Sequence, residues 1–448
     1  MSSRALSPIQ ASTSSALPSW ADDTGNAVGP PFLATAAGTL VSPDEDFEDG
    51  ERGMSSTLCR APRPLPGLRI IAAMPALSKD APTPTLLWDI FCRVIDNFGD
   101  IGVCWRLACN LAERGQRVRL WVDDAAALRW MAPGGHDGVE VGAWLASTAF
   151  PPPGDVVVEA FGCDPAPAFL AAMAATGEDG RAPVWINLEY LSAEAYVERS
   201  HALASPQMSG PARGLTKWFF YPGFTAATGG LLREPGLQAA QALFDRDGWL
   251  AAQGMDLRDG ERLVSVFCYP GAPIDRLVAS LAADGRPTLL ATTPGAATGA
   301  VRAALATLGE GQAALRQLAL PWLPQPEFDR LLWASDLNFV RGEDSWVRAQ
   351  WAGQPFVWQA YPQHDGAHGP KIEAFLALAL GGVEEAVAET IRDWTAAWNG
   401  LDDPTAPLPA WTPQTLGASR AAARAWRDRL TGSADLVTRL LAFVREKR

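Results

Sequence analysis

Short, nearly uninterrupted apolar runs recur along the chain from residue 86 onward, and each is followed by a stretch with helical spacing of its apolar positions. Runs at 86–92, 118–122, 155–161 and 183–188 form a first group. The pattern restarts at 262–269 and continues at 288–292, 315–320, 336–340 and 355–359. A strand buried on both faces carries apolar side chains at successive positions, whereas a strand with one wet face alternates. The runs therefore predict parallel strands covered by helices, in two Rossmann-like halves in series. A helix is predicted over about 103–114 and closed by Gly115, and 421–448 reads as helices with no strand after it. This gives an N-terminal half at 84–258, completed by a helix at 430–448, and a C-terminal half at 259–429.

Two strand-to-helix turns carry chemistry. In the second half the apolar segment 337–340 runs into Arg341, Gly342, Glu343, Asp344, Ser345 and Trp346, with a helix expected from Val347. In the first half the strand at 86–92 leads to Asp96, Asn97, Phe98, Gly99 and Asp100. Such turns aim free backbone N–H groups and a partial positive charge at their ligand, which suits phosphate. One turn per half predicts a cleft between two α/β domains.

Residues 1–83 break the pattern. They are rich in Ser, Pro, Ala and Gly, carry an acidic patch at 44–49 and show no period, so a disordered extension is expected. Neither a secretory signal nor a transit peptide fits, and Met74 stands just upstream of the first strand as a candidate natural start. The remaining chain is long enough for two buried cores. Although 48% of residues are hydrophobic, no apolar run approaches a membrane span, so a soluble protein without a membrane partner is expected. The 37 basic and 50 acidic residues give a net charge of −13, which argues against nucleic acid as the main partner. An acidic substrate then needs a local positive pocket. The six cysteines sit mostly in apolar patterns without a CxxC pair and read as buried thiols of a reducing compartment, the cytoplasm. His364 and His368 have helical metal-pair spacing, but Gly366, Gly369 and Pro370 make that segment a solvated turn, and no metal is expected.

Several segments together resemble one family: 88–92, 96–103, 159–165, 185–192, 222–225 and 341–359, in that order. The resemblance, from about Trp88 to the C-terminus, is to the protein-arginine rhamnosyltransferases that mature translation elongation factor P. It implies an α/β, GT-B glycosyltransferase fold, dTDP-β-L-rhamnose as donor, inversion at the sugar carbon, and one arginine of elongation factor P as acceptor. Carried over by position, the catalytic carboxylates look like Asp96, Asp100 and Glu343. The nucleotide-sugar contacts look like Gly99, Phe267, Tyr269, Gln325, Arg341, Asp344 and Ser345.

The residues suit that chemistry. A guanidinium is a poor nucleophile because its lone pairs are delocalised, and carboxylates can clamp its planar fork, orient one nitrogen and take its proton. Asp100 is expected as base or principal orienter, with Glu343 as its partner across the cleft. Arg341, Ser345, Tyr269 and turn N–H groups can stabilise a leaving pyrophosphate without a metal. Phe267 is placed to stack on thymine, and Gln325 offers an amide to a base edge. Each residue also has an ordinary reading: Asp100 as a helix N-cap, Glu343 and Asp344 as first-turn acids favoured by the dipole, Phe267 and Tyr269 as strand core. The 18 tryptophans are too scattered to mark a sugar platform, and most are expected in the core. A nicotinamide oxidoreductase lacks its GxGxxG here. A binding protein without catalysis has no use for Asp100 and Glu343. A GT-B transferase with another nucleotide sugar and a lipid or glycan acceptor is the main alternative.

Overall fold

The computed structural model describes residues 84–96, 98–178, 182–308, 314–363 and 366–448. The expectations for 1–83, Asn97, Cys59 and His364 lie outside the described residues.

The first half contains β1 (Leu87–Cys92), α1 (Gly99–Glu113), β2 (Arg117–Val122), α2 (Leu128–Met131), β3 (Val139–Ala143) and β4 (Val156–Ala160). It continues with α3 (Pro167–Glu178), β5 (Val184–Leu188), α4 (Tyr196–Ser200), β6 (Ala204–Pro206) and β7 (Thr216–Phe220). Two short helices, α5 (Leu237–Ala242) and α6 (Arg246–Ala252), lead to the second half. There β8 (Arg262–Val266), α7 (Ile274–Ala283), β9 (Thr288–Thr292), α8 (Ala296–Thr307) and β10 (Leu315–Ala319) are followed by α9 (Gln325–Ala334) and β11 (Leu337–Arg341). Then come α10 (Gly342–Ala352), β12 (Phe356–Gln359), α11 (His368–Ala379), α12 (Glu385–Trp398), α13 (Pro413–Thr431) and α14 (Leu436–Lys447).

The strands form a seven-stranded sheet in the order β3-β2-β1-β4-β5-β7-β6 and a five-stranded sheet in the order β10-β9-β8-β11-β12. All neighbours are parallel except β6 and β7. Central strands β4, β5, β8 and β11 are buried at every position, as their continuous apolar runs require. The last helix, α14, lays Leu436, Val437, Leu440, Phe443 and Val444 into the core of the first sheet.

Two local readings shift. α1 and α10 each begin several residues earlier than the sequence suggests, at Gly99 and Gly342. Gly342 turns the chain in one step at φ 65°, so Glu343, Asp344 and Ser345 lie in the first helical turn instead of a preceding loop. The segment read as a loop at His368 opens α11, because Pro370 falls in the first turn, where its missing N–H costs no helical bond. Cys92, Cys104, Cys163 and Cys268 are buried free thiols, with Cys109 half-buried. Among the described residues no helix is long and apolar enough to cross a membrane.

Candidate active site

In an open parallel sheet, ligands bind beyond the carboxyl ends of strands, where the strand order reverses. The first sheet reverses between β1 and β4 and the second between β8 and β11. The turns leaving β1 and β11 meet there. Arg341, the last residue of β11, places Nη1 3.2 Å from Asp96 Oδ1, and the Tyr269 hydroxyl, just past β8, donates to Asp96 Oδ2 at 2.5 Å. Gly342 is held to glycine twice over: besides its positive φ, a Cβ there would lie 3.0 Å from both Asp96 Oδ2 and the Tyr269 hydroxyl. A Cβ on Gly99 would lie 2.8 Å from Asp96 Oδ2.

Asp100 is not the N-cap of α1. That position is Phe98, without a side-chain cap bond. Asp100 instead folds back on the preceding turn: Oδ2 accepts from the N–H groups of Ile95 (2.8 Å) and Asp96 (2.9 Å), and Oδ1 from the Tyr190 hydroxyl (3.3 Å). Burial pushes its carboxyl up from the ordinary range, against the pull of those two amides. Asp100 thus shapes the loop that carries Asp96.

Glu343 approaches from the other half, and its Oε2 accepts from the Leu191 N–H at 2.9 Å. Burial pushes its carboxyl up to about 7, opposed chiefly by the Lys371 ammonium and reinforced by the negative charges of Asp100 and Asp344. Tyr190 stands beside it, stacked on Phe161 with ring centroids 4.3 Å apart, and Lys371 Nζ lies 6.0 Å from the centre of the Tyr190 ring. Phe161 itself adopts φ 58°, uncommon for a bulky residue and a mark of strain held by its surroundings.

Asp344 and Gln325 have structural duties. Asp344 Oδ1 pairs with Arg106 Nε at 2.9 Å, while Gln325 donates to the Gly102 carbonyl at 3.0 Å and to Asp344 at 3.3 Å. Arg106 and Arg348 grip Asp329 from two sides at 2.7–3.1 Å, and both reach Glu234. This buried network bolts α1 of the first half to α9 and α10 of the second. Breaking one partner of such a network leaves an uncompensated charge, so it fixes how the two turns face each other.

A cleft opens on this constellation, lined by Asp96, Gly99, Phe267, Gln325, Arg341, Asp344 and Ser345 among others. The Arg341 guanidinium lies 4.6 Å from the Phe267 ring centre and 4.2 Å from that of Tyr269. Its Nε is buried with no hydrogen-bond partner among the described residues. Phe267 is half-buried and borders the cleft; Tyr269 is buried beneath it. The Ser345 hydroxyl donates to the Arg341 carbonyl, which closes the first turn of α10. Neither α1 nor α10 has a side-chain cap, and such helix starts suit an anion, although in α1 the Gly99 N–H already donates to the Asp96 carbonyl at 2.7 Å. Two tryptophans depart from the expected core role. Trp130 and the 43%-exposed Trp322 line the mouth with ring centroids 4.6 Å apart, and each meets Phe98 edge-on at 5.2 Å. Thr293 and Pro294, after β9, complete the wall. Among the described residues no group of three or more His, Cys, Asp or Glu side chains could hold a metal ion.

Two Rossmann-like halves converge here on a cleft bearing an arginine, two uncapped helix ends and opposed carboxylates, the layout of the GT-B glycosyltransferase fold. The sequence profile of the Elongation-Factor P (EF-P) rhamnosyltransferase EarP family matches residues 88–445, and the chain belongs to that family. It is 43% identical over 386 residues to the protein-arginine rhamnosyltransferase of Pseudomonas aeruginosa, covering 80% of this chain and 98% of the relative. It is 36% identical over 401 residues to that of Shewanella oneidensis, with 80% and 98% covered. A solved structure concerning EarP-mediated arginine glycosylation of translation elongation factor EF-P shares the fold, with a TM-score of 0.56 and 31% identity over 81% of this chain and all of that one.

Proposed function

We propose that this glycosyltransferase moves L-rhamnose from dTDP-β-L-rhamnose, with inversion, onto one arginine side chain of EF-P in the cytoplasm, and that it needs no metal. The observation that carries the reading is the convergence of Asp96, Asp100 and Glu343 from facing turns, next to an arginine with a free buried Nε. One acceptor nitrogen attacks the anomeric carbon as the bond to the dTDP oxygen breaks, and a guanidinium proton passes to a carboxylate. A base poised near neutral pH balances protonation state against driving force, and Glu343 has that property. Asp100 was expected as base or orienter. Its oxygens are engaged by two amides and a phenol, which favours the orienting role and leaves the proton to Glu343.

The developing pyrophosphate charge falls to Arg341 and the amides of α10, groups fixed before the reaction starts. Phe267 supplies a face for thymine. Family membership supports both the sugar and the acceptor. The test is intact-mass measurement of EF-P after incubation with the enzyme, with and without dTDP-β-L-rhamnose, and again in EDTA. The reading expects one added deoxyhexose wherever the donor is present, EDTA included. An unchanged mass, or a strict need for added divalent cation, overturns it.

A further inference from the structure

The acids of the site can be matched to their counter-groups one by one. Asp96 has Arg341 and the Tyr269 hydroxyl. Asp344 has Arg106, and Asp329 and Glu234 share Arg106 with Arg348. Asp100 has two amides and the Tyr190 hydroxyl. Glu343 is left with one amide, from Leu191, and with no ion pair to any of these three arginines.

The cation that faces Glu343 is Lys371, in the first turn of α11. Its Nζ lies over the ring of Tyr190, the residue preceding Leu191, so the ammonium and the Glu343 carboxylate both rest against the 190–191 dipeptide. The other charged groups that act most strongly on Glu343 are acidic: Asp344 from its own helix and Asp100 from α1. Glu194, after β5, also faces Lys371.

We propose that Lys371 is a positioning residue for the transfer, whose ammonium keeps Glu343 a carboxylate ready to take the acceptor's proton. The inference rests on the proposed function for its chemistry. Burial and two neighbouring acids favour the neutral carboxyl, and Lys371 opposes them without touching substrate. Burial also draws the Lys371 ammonium below its ordinary range, and Glu343 and Glu194 counter that, so each charge supports the other.

The test compares wild type with Lys371→Met, which keeps length and apolar stem, and Lys371→Arg, which keeps the charge. Two readouts are taken: the pH profile of kcat/KM with EF-P at saturating donor, and an infrared titration of Glu343, identified as the band lost in Glu343→Gln. In Lys371→Met both midpoints should move alkaline by about one pH unit, so turnover is about fivefold slower at pH 7, about tenfold slower well below it, and recovers by about pH 9. Lys371→Arg should restore the wild-type midpoint. A Lys371→Met profile lowered equally at all pH values, or an unmoved infrared midpoint, makes Lys371 merely structural and overturns the inference. Wild-type enzyme that transfers no sugar at any pH would refute the proposed function instead, and the infrared midpoint would still decide the role of Lys371.

Discussion

Arg341 Nη1 and Asp96 Oδ1 lie 3.2 Å apart across the cleft, so the guanidinium available for the donor's pyrophosphate also holds one of the acids available to the acceptor. A bound pyrophosphate competes with Asp96 for Arg341. In Asp96→Asn that competition is gone, and dTDP should bind as well as to wild type or up to about tenfold tighter, which is about 1.4 kcal/mol. Turnover should fall, since an acid is lost. Calorimetric titration with dTDP checks this; clearly weaker binding would mean that Asp96 supports the donor site.

Glu343→Gln and Asp100→Asn should each abolish turnover while leaving dTDP affinity within about threefold of wild type, because both acids are proposed to act on the acceptor guanidinium. The pH dependence follows from the Glu343 carboxyl, which burial raises to about 7. A base must be ionised to accept a proton. kcat/KM should therefore be flat at alkaline pH and fall about tenfold per pH unit below roughly pH 7. An acid limb near pH 4.5 would remove Glu343 as the base.

Gly342→Ala tests the turn itself. The new Cβ must adopt φ 65° and approach Asp96 Oδ2 and the Tyr269 hydroxyl to 3.0 Å. Strain in a left-handed residue costs about 1–3 kcal/mol. The variant should lose about that much stability in denaturant melts and also lose turnover as Asp96 is displaced. Wild-type activity would show that the close approach is not needed.

Phe267→Ala should weaken dTDP binding by about 1–3 kcal/mol, the range for aromatic stacking on a base. Unchanged affinity by calorimetry would assign Phe267 to shielding Arg341, whose guanidinium lies 4.6 Å from the ring centre.

What could be read from the sequence follows from what each residue's signal depends on. β1, β4, β8 and β11 are legible because burial on both faces forces apolar residues at nearly every position. The edge strands of the first sheet give no such signal: β3 has no buried residue, and β6 is three residues long. Arg341 and Glu343 stand in one compact turn and could be singled out. The clamp of Arg106 on Asp329 joins residues 223 apart, and no local pattern announces it. Lys371 lies in an ordinary helix and gains meaning only from Glu343 opposite. Trp130 and Trp322 look like any core tryptophan until α2 and the loop after β10 bring them to one cleft mouth. Tyr190 belongs to a quoted motif, yet its bond to Asp100 depends on the packing of β5 beside β4.

The central claim is that opposed carboxylates receive a guanidinium. Fragmentation mass spectrometry of EF-P after incubation with the enzyme and dTDP-β-L-rhamnose locates the sugar directly, and the same measurement is made on EF-P with that arginine changed to lysine. Lysine presents a compact ammonium without the planar fork that two carboxylates can grip. The account predicts one deoxyhexose on a guanidino nitrogen of a single arginine and none on the lysine variant. Sugar on a lysine or a hydroxyl, or transfer undiminished by the Arg→Lys change, would contradict it.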